Sequence, residues 1–489
     1  MDVLPSNPLL YQINTRVLLR AMSDRLGRQA GFDDVPDEAL AALRALGFDW
    51  VWFLGVWQTG PAGRAISRGN AAWQAGFRQE LPDLVPDDIC GSPFAIAGYE
   101  AEDAFGGDDA LARLRARMNA AGLRLMLDFV PNHMAPDHPW ATDRPSLFVG
   151  GTDADLSAQP ENWIRLDAGI VAHGRDPYFP GWPDTIQLDY ANPDTQAAMA
   201  DALLSIAGRC DGVRCDMAML LLPEVFERTW AAQLDGRRVE PFWPDAIAAA
   251  RTAYPDFRLM AEVYWGLEHR LIAEGFDLSY DKALYDALRA GEAGRARDLL
   301  DVEPAIQAHL ARFLENHDEP RAAETFDWPR HQAAALLAFA APGLRFLHQG
   351  QLEGLRTHIP IHLDRGPAEP VDEAVLAFYR RLLPVLADPV LRDGRYEALA
   401  PMPAWGGNPS HARFVAALWH DETQARYLLV VNFGPDRGQC RLPMLLGEGT
   451  VILSDRFDNE RYERDGSEIG GAGLYIDQPG WGFNLFAIG

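Results

Sequence analysis

Asp128, Asp216, Glu262 and Asp318 each close or follow a short apolar run. The segments are LRLMLDFVPNH (123–133), DGVRCD (211–216), RLMAEVYW (258–265) and ARFLENHD (311–318). Beside the carboxylates stand Asn132, His133, Arg214 and His317. Carboxylates converging on one pocket suit the cleavage of an acetal, in which one protonates the leaving oxygen and another attacks the carbon or activates water. Groups this far apart in sequence meet only if the fold collects strand ends. A barrel of parallel strands does so at its C-terminal rim.

The elements needed for such a barrel are legible. Strand-like runs cover 9–14, 48–57, 123–130, the GVRCD segment, 257–264, 276–281, 311–316 and 344–349. Amphipathic stretches at 37–47, 108–122, 195–208 and 330–340 repeat apolar residues at three- and four-residue spacing, one buried face each. The alternation predicts an α/β chain with a (β/α)8 TIM barrel. Residues 58–106 form a long Gly- and Pro-rich connection, and 134–189 is dense in Pro, Asp, Gly and Trp without helical period. Past about 390 come brief β runs, 413–419, 426–434 and 481–488, which predict an antiparallel β-sandwich. The expected domains are the barrel (1–133 and 190–388), an insert after strand three (134–189) and the C-terminal sandwich (389–489).

DFVPNH, GVRCD, EVYW and ENHD resemble, in order and rough spacing, four signature regions of the α-amylase family, glycoside hydrolase family 13. The resemblance runs from YQINTR (11–16) to about 385. It implies that the insert is that family's domain B. It also implies a retaining glycosidase or transglycosidase that cleaves α-glucosidic bonds of small oligosaccharides through a β-glycosyl-enzyme. Asp216 would be the nucleophile. Arg214, two residues earlier and so on the same strand face, would hold it charged and oriented. Glu262 would be the general acid/base, its pKa raised by apolar neighbours such as Met260, Ala261 and Val263. Asp318, His317 and His133 would hold sugar hydroxyls, Phe94 would stack on the ring, and Asp128 would support the site from within. Asn132 matches a position that binds calcium in many members. Such a site needs six or more oxygens, which the sequence does not assemble, so calcium stays open.

The chain also departs from the family pattern. Where many amylases follow the nucleophile with a Lys–His pair that grips the acceptor sugar, this chain has Met217, Ala218, Met219 and Leu220. Short substrates are therefore expected over starch. A phosphorylase and a non-catalytic carbohydrate-binding protein are the alternatives; the second fits less well because all three acids are kept. The formal net charge of −26 speaks against nucleic acid or an anionic membrane as partner. The expected partner is a small carbohydrate, without an organic cofactor. Cys90, Cys210, Cys215 and Cys440 show neither metal-ligand nor disulfide-framework spacing. Neither a secretory leader nor a membrane-spanning run is visible, so a cytoplasmic location is expected. Lys282 is the sole lysine.

Overall fold

A computed structural model describes residues 4–489. Eight parallel strands close into a barrel. They are β1 (Leu9–Asn14), β2 (Trp50–Leu54), β3 (Arg124–Phe129), β4 (Gly212–Cys215), β5 (Arg258–Ala261), β6 (Leu278–Tyr280), β7 (Leu310–Arg312) and β8 (Leu344–His348). Closure is made by β1, which pairs with β2 through Leu10 and Trp50 and with β8 through Leu9 and Arg345. Every residue of β2, WVWFL, is buried. A barrel strand is covered on both faces, inside by packed side chains and outside by helices, so it reads as a continuous apolar run. At the N-terminal end Asp49 accepts from Leu9 N at 2.9 Å and pairs with Arg392 Nη2 at 2.6 Å, tying β1 to a segment that follows the barrel. Just before β8, Gly343 has a φ of +99°, and a Cβ there would lie 2.3 Å from the Leu310 carbonyl oxygen. Only glycine fits that turn.

The 58–106 connection is more structured than its composition predicts. It contains helices Pro61–Gly69 and Ala71–Glu80 and strand Ile96–Ala101. The stretch 134–189 likewise carries short helices, Trp140–Asp143 and Asp153–Ala158, and a hairpin of Trp163–Leu166 with Gly169–Ala172. His133 and Met134 pair with Gln187 and Ile186, which draws the two ends of the insert together over β3.

The C-terminal part holds a six-stranded and a three-stranded antiparallel sheet. It docks on the barrel's helices. Trp419, fully buried, donates its indole N–H to the Ala340 carbonyl at 2.8 Å, and Tyr427 Oη donates to Asp388 at 2.8 Å. Burying an indole while its N–H keeps a partner is the favourable way to seat tryptophan.

Lys282 opens helix Lys282–Ala290, whose N-cap Asp281 accepts from Leu284 N. Its ammonium pairs with Asp286 and, at 3.2 Å, with Glu319, and lies 4.8 Å over the Tyr285 ring. No helix among the described residues is long and apolar enough to cross a membrane.

Candidate active site

Arg214, in β4 and 1% exposed, organises the C-terminal rim. Its Nη1 donates to Asp216 Oδ1 at 2.7 Å and its Nη2 to Glu262 Oε2 at 2.6 Å. Asp128 Oδ1 and Asp318 Oδ2 each lie 3.9 Å away. The guanidinium also stacks on aromatic rings, with Cζ 5.0 Å from the Phe94 centroid and 5.5 Å from Trp52. Strand alternation explains the pairing. Arg214 and Asp216 share a face of one strand, and β5 lies in register beside β4, with Cys215 opposite Ala261, the residue before Glu262.

Four carboxylates around one buried cation cannot all be charged at low cost. Burial first, and then repulsion from Asp216, raises the pKa of Glu262; the guanidinium, the Met217 N–H and the Tyr264 hydroxyl pull it back. Those contacts are 2.7 Å from Met217 N to Oε2 and 2.8 Å from Tyr264 Oη to Oε1. Burial and the Glu262 charge push Asp318 well above the usual carboxylate range. Its side chain is 37% exposed, so solvent moderates that push. Asp128 is raised to about 7, chiefly by burial. For Arg214 burial opposes the charge, yet Glu262, Asp216 and Asp128 carry its pKa well above normal.

A cavity of about 300 Å³ opens onto this cluster. Phe94, His133, Arg214, Asp216, Glu262 and Asp318, all singled out by the sequence, line it. Asp128 and His317 do not; they stand one layer behind. Asp128 accepts from Trp52 Nε1 at 3.1 Å and Gly55 N at 2.9 Å, so its oxygens face the barrel interior. His317 Nδ1 bonds Gln12 Nε2 at 2.7 Å, and its Nε2 lies 3.0 Å from Asp318 Oδ2. Both reach the cavity only through a neighbour. Asp318 is not at a strand end either: β7 stops at Arg312, and the acid sits in the loop beyond.

Asn132 does not fit a calcium site. Its amide is used by Gln187 Nε2 at 3.0 Å, Gln187 Oε1 at 3.2 Å and His133 Nδ1 at 3.3 Å, with no carboxylate among those partners. No cluster of three or more His, Cys, Asp or Glu able to hold a metal occurs among the described residues.

Much of the wall carries no sequence motif. Trp73, Ser92, Trp182, Asp184, Thr185, Tyr264, Ile361 and His362 also line the cavity, together with Met217 of the apolar stretch that follows Asp216. For Tyr264 a signal existed: it lies two residues past Glu262, on the same face. Trp73, Asp184 and His362 come from segments with no periodic pattern. Met217 and Trp265 flank the acids with φ of +44° and +64°. Left-handed backbone at bulky residues is strained, and such strain clusters at working sites. Two larger cavities, about 530 and 770 Å³, lie at the opposite end of the barrel. Their linings include the Arg115–Asp211 and Arg392–Asp49 pairs, whose charges already have partners.

The family model for the α-amylase catalytic domain matches residues 40–276, which include Asp128, Arg214, Asp216 and Glu262. Residues 40–276 are thus a catalytic domain of the α-amylase family. Asp318 lies beyond the matched span and joins the cluster through the fold. An α-1,4-glucan:maltose-1-phosphate maltosyltransferase of Rhodospirillum rubrum is 24% identical over 340 residues, covering 68% of this chain and 43% of that protein. Maltase 1 of Drosophila virilis is 22% identical, covering 59% of this chain and 55% of the relative. The chain thus spans about half the length of these α-amylase relatives. A maltogenic α-amylase of Thermotoga neapolitana superposes with a TM-score of 0.67 at 17% identity, over 99% of this chain and 98% of the other. The Anoxybacillus α-amylase gives 0.69 at 16%, over 100% and 99%. At that identity the likeness speaks to the α-amylase fold alone.

Proposed function

We propose that the chain is a retaining α-glycosidase or transglycosidase acting on α-glucosidic bonds of short oligosaccharides. The carrying observation is the Asp216–Arg214–Glu262 bridge at the floor of the cavity. One guanidinium holds two carboxyls a short distance apart, as a double-displacement pair needs. In this reading Asp216 attacks the anomeric carbon while Glu262, whose pKa burial raises, gives its proton to the leaving oxygen. Glu262 then takes a proton from water or an acceptor hydroxyl, and that oxygen displaces Asp216 with the α configuration restored. Asp318 holds ring hydroxyls as positive charge develops.

Two features support short substrates. Behind the nucleophile, Ala218–Leu221 form a fully buried 3-10 turn, which offers an acceptor sugar no polar grip. The cavity is also walled by Trp73 on helix Ala71–Glu80 and by Ile361 and His362. Phosphorolysis is less well supported, although one relative is named for a sugar-phosphate substrate. Arg214 is the only arginine lining the cavity among the described residues, and the carboxylates already engage it. Burial lowers the pKa of His133, and that of His362 to about 4, leaving both neutral.

The test is turnover of maltose, maltotriose, longer maltooligosaccharides and soluble starch, with and without phosphate, following the first-formed anomer by NMR. An α product, efficiency highest on the short glucosides and no phosphate dependence are expected. A β product would refute retention, and efficiency rising steadily to starch would refute the preference for short substrates.

A further inference from the structure

Asp184 is a fourth carboxylate lining the catalytic cavity, and nothing in the catalytic scheme uses it. It is 3% exposed, forms no ion pair or side-chain hydrogen bond with another described residue, and its Oδ2 is buried without a partner. We propose that Asp184 is a sugar-binding residue, whose carboxylate accepts a hydrogen bond from a ring hydroxyl of the glycoside seated in the cavity. The proposal rests on the glycosidase reading above and extends it to a specificity contact.

The placement is built rather than incidental. Thr185, the next residue, bonds the Trp182 carbonyl through its N–H at 3.0 Å and its hydroxyl at 2.9 Å, closing a tight turn around Asp184. The Thr185 hydroxyl accepts from Gly174 N at 3.1 Å, and its carbonyl lies 2.8 Å from His173 Nδ1. Trp182 packs on His133, ring centroids 5.2 Å apart. On the other side, a Cβ built on Gly63 would meet the Cβ atoms of Ala95 and Asp184 at 3.3 and 3.9 Å. The turn is therefore fixed on both sides, and the carboxylate is held at the cavity wall.

A buried carboxylate oxygen that lacks a donor is costly whichever way the group titrates. Ionised, it loses hydration without compensation; protonated, it still needs an acceptor. Burial lifts Asp184 to about 6 against the pull of its own backbone N–H, so near neutral pH the charge is largely present while Oδ2 stays without a donor. An unsatisfied acceptor facing a cavity is accounted for when what enters the cavity completes it. A site built to bond a substrate hydroxyl discriminates strongly against the analogue that lacks it, because the protein group is then left bare.

Calorimetry tests this on the full chain carrying Asp216→Asn, which binds without turnover. Maltose and analogues lacking one hydroxyl on the non-reducing ring are titrated into that parent and into the same chain with Asp184→Leu or Asp184→Asn added. One deoxy analogue should bind the parent about ten- to a hundred-fold more weakly than maltose. With Asp184→Leu that ratio should collapse toward one, and with Asp184→Asn it should be intermediate. Unliganded Asp184→Leu should melt at or above the parent, since it removes a bare buried charge. Analogue ratios unchanged by Asp184→Leu would overturn the proposal, as would a melting point several degrees lower with those ratios intact. A parent that binds no glucoside would refute the glycosidase reading itself, and the proposal with it.

Discussion

Arg214 Nη2 donates to Glu262 Oε2 at 2.6 Å while Nη1 of the same side chain holds Asp216 at 2.7 Å. One rigid fork therefore sets the spacing of the two groups that would do the chemistry. A lysine has one point charge and cannot span both. Arg214→Lys should lower kcat on maltose by on the order of 10²-fold, a misplacement effect. It should also destabilise the fold by about 3–5 kcal/mol, since buried carboxylates lose a partner. Steady-state kinetics and denaturant melts measure both; activity within ten-fold of wild type would refute the role of the fork.

Tyr264 tunes Glu262, the proposed acid. Its hydroxyl donates to Glu262 Oε1 at 2.8 Å and thereby lowers a pKa that burial has raised. Tyr264→Phe removes the donor, so the pKa of Glu262 rises further. A general acid must be protonated, so the basic limb of the kcat/KM profile moves to higher pH. One hydrogen bond corresponds to about one pH unit or less. A basic limb that stays in place, or moves down, would count against Glu262 as the acid.

Asp128 makes stability fall with rising pH. Its folded pKa, about 7, lies above the ordinary 3.8 because of burial. The native state thus holds a proton that the unfolded chain releases, and this stabilising term is complete below pH 3.8. It is lost as pH rises to about 7, by at most about 4 kcal/mol. Asp128→Asn should flatten that part of the stability profile, though it weakens one of the bonds to Trp52 and Gly55. Urea melts between pH 5 and 8 test this; an unchanged slope would contradict it.

Arg365 clamps the cavity wall. It pairs with the fully buried Asp88 at 2.7 Å and with Asp83 at 3.0 Å, beside the bridge from Ile89 to Leu363, the residue after His362. Arg365→Ala should loosen Ile361 and His362, raising KM for maltose several-fold with little change in kcat. An equal fall in kcat with KM unchanged would show that the clamp acts on the chemistry instead.

The eight strands were legible because most are short apolar runs bounded by turn residues, and β1 (Leu9–Asn14) is read to the residue. The expected seventh strand, 311–316, ran too far. Glu315 leaves the ladder to bond Arg321 Nη1 at 2.6 Å and Ala322 N at 2.7 Å, which bends the chain and carries Asp318 into the loop. Helix Pro61–Gly69 was hidden because proline and glycine bound a segment that helical propensity alone would not form. Carboxylates at strand ends announce themselves by the apolar run before them. Asp184 and His362 lie in loops, where only tertiary pairing fixes the position and no periodicity records it.

The single ammonium side chain, Lys282, divides the barrel. Before it lie β1 to β6 with Asp216 and Glu262; after it lie β7, β8 and Asp318. A lysine-specific protease has one bond to cut, and that bond sits at the start of a capped helix whose lysine is held by Asp286 and Glu319. Cleavage there requires the helix start to open, and Glu319 is the immediate neighbour of the third acid. The yield of two fragments under native conditions therefore reads out how often the barrel parts beside its own catalytic rim, and a bound sugar that holds Asp318 should slow the cut.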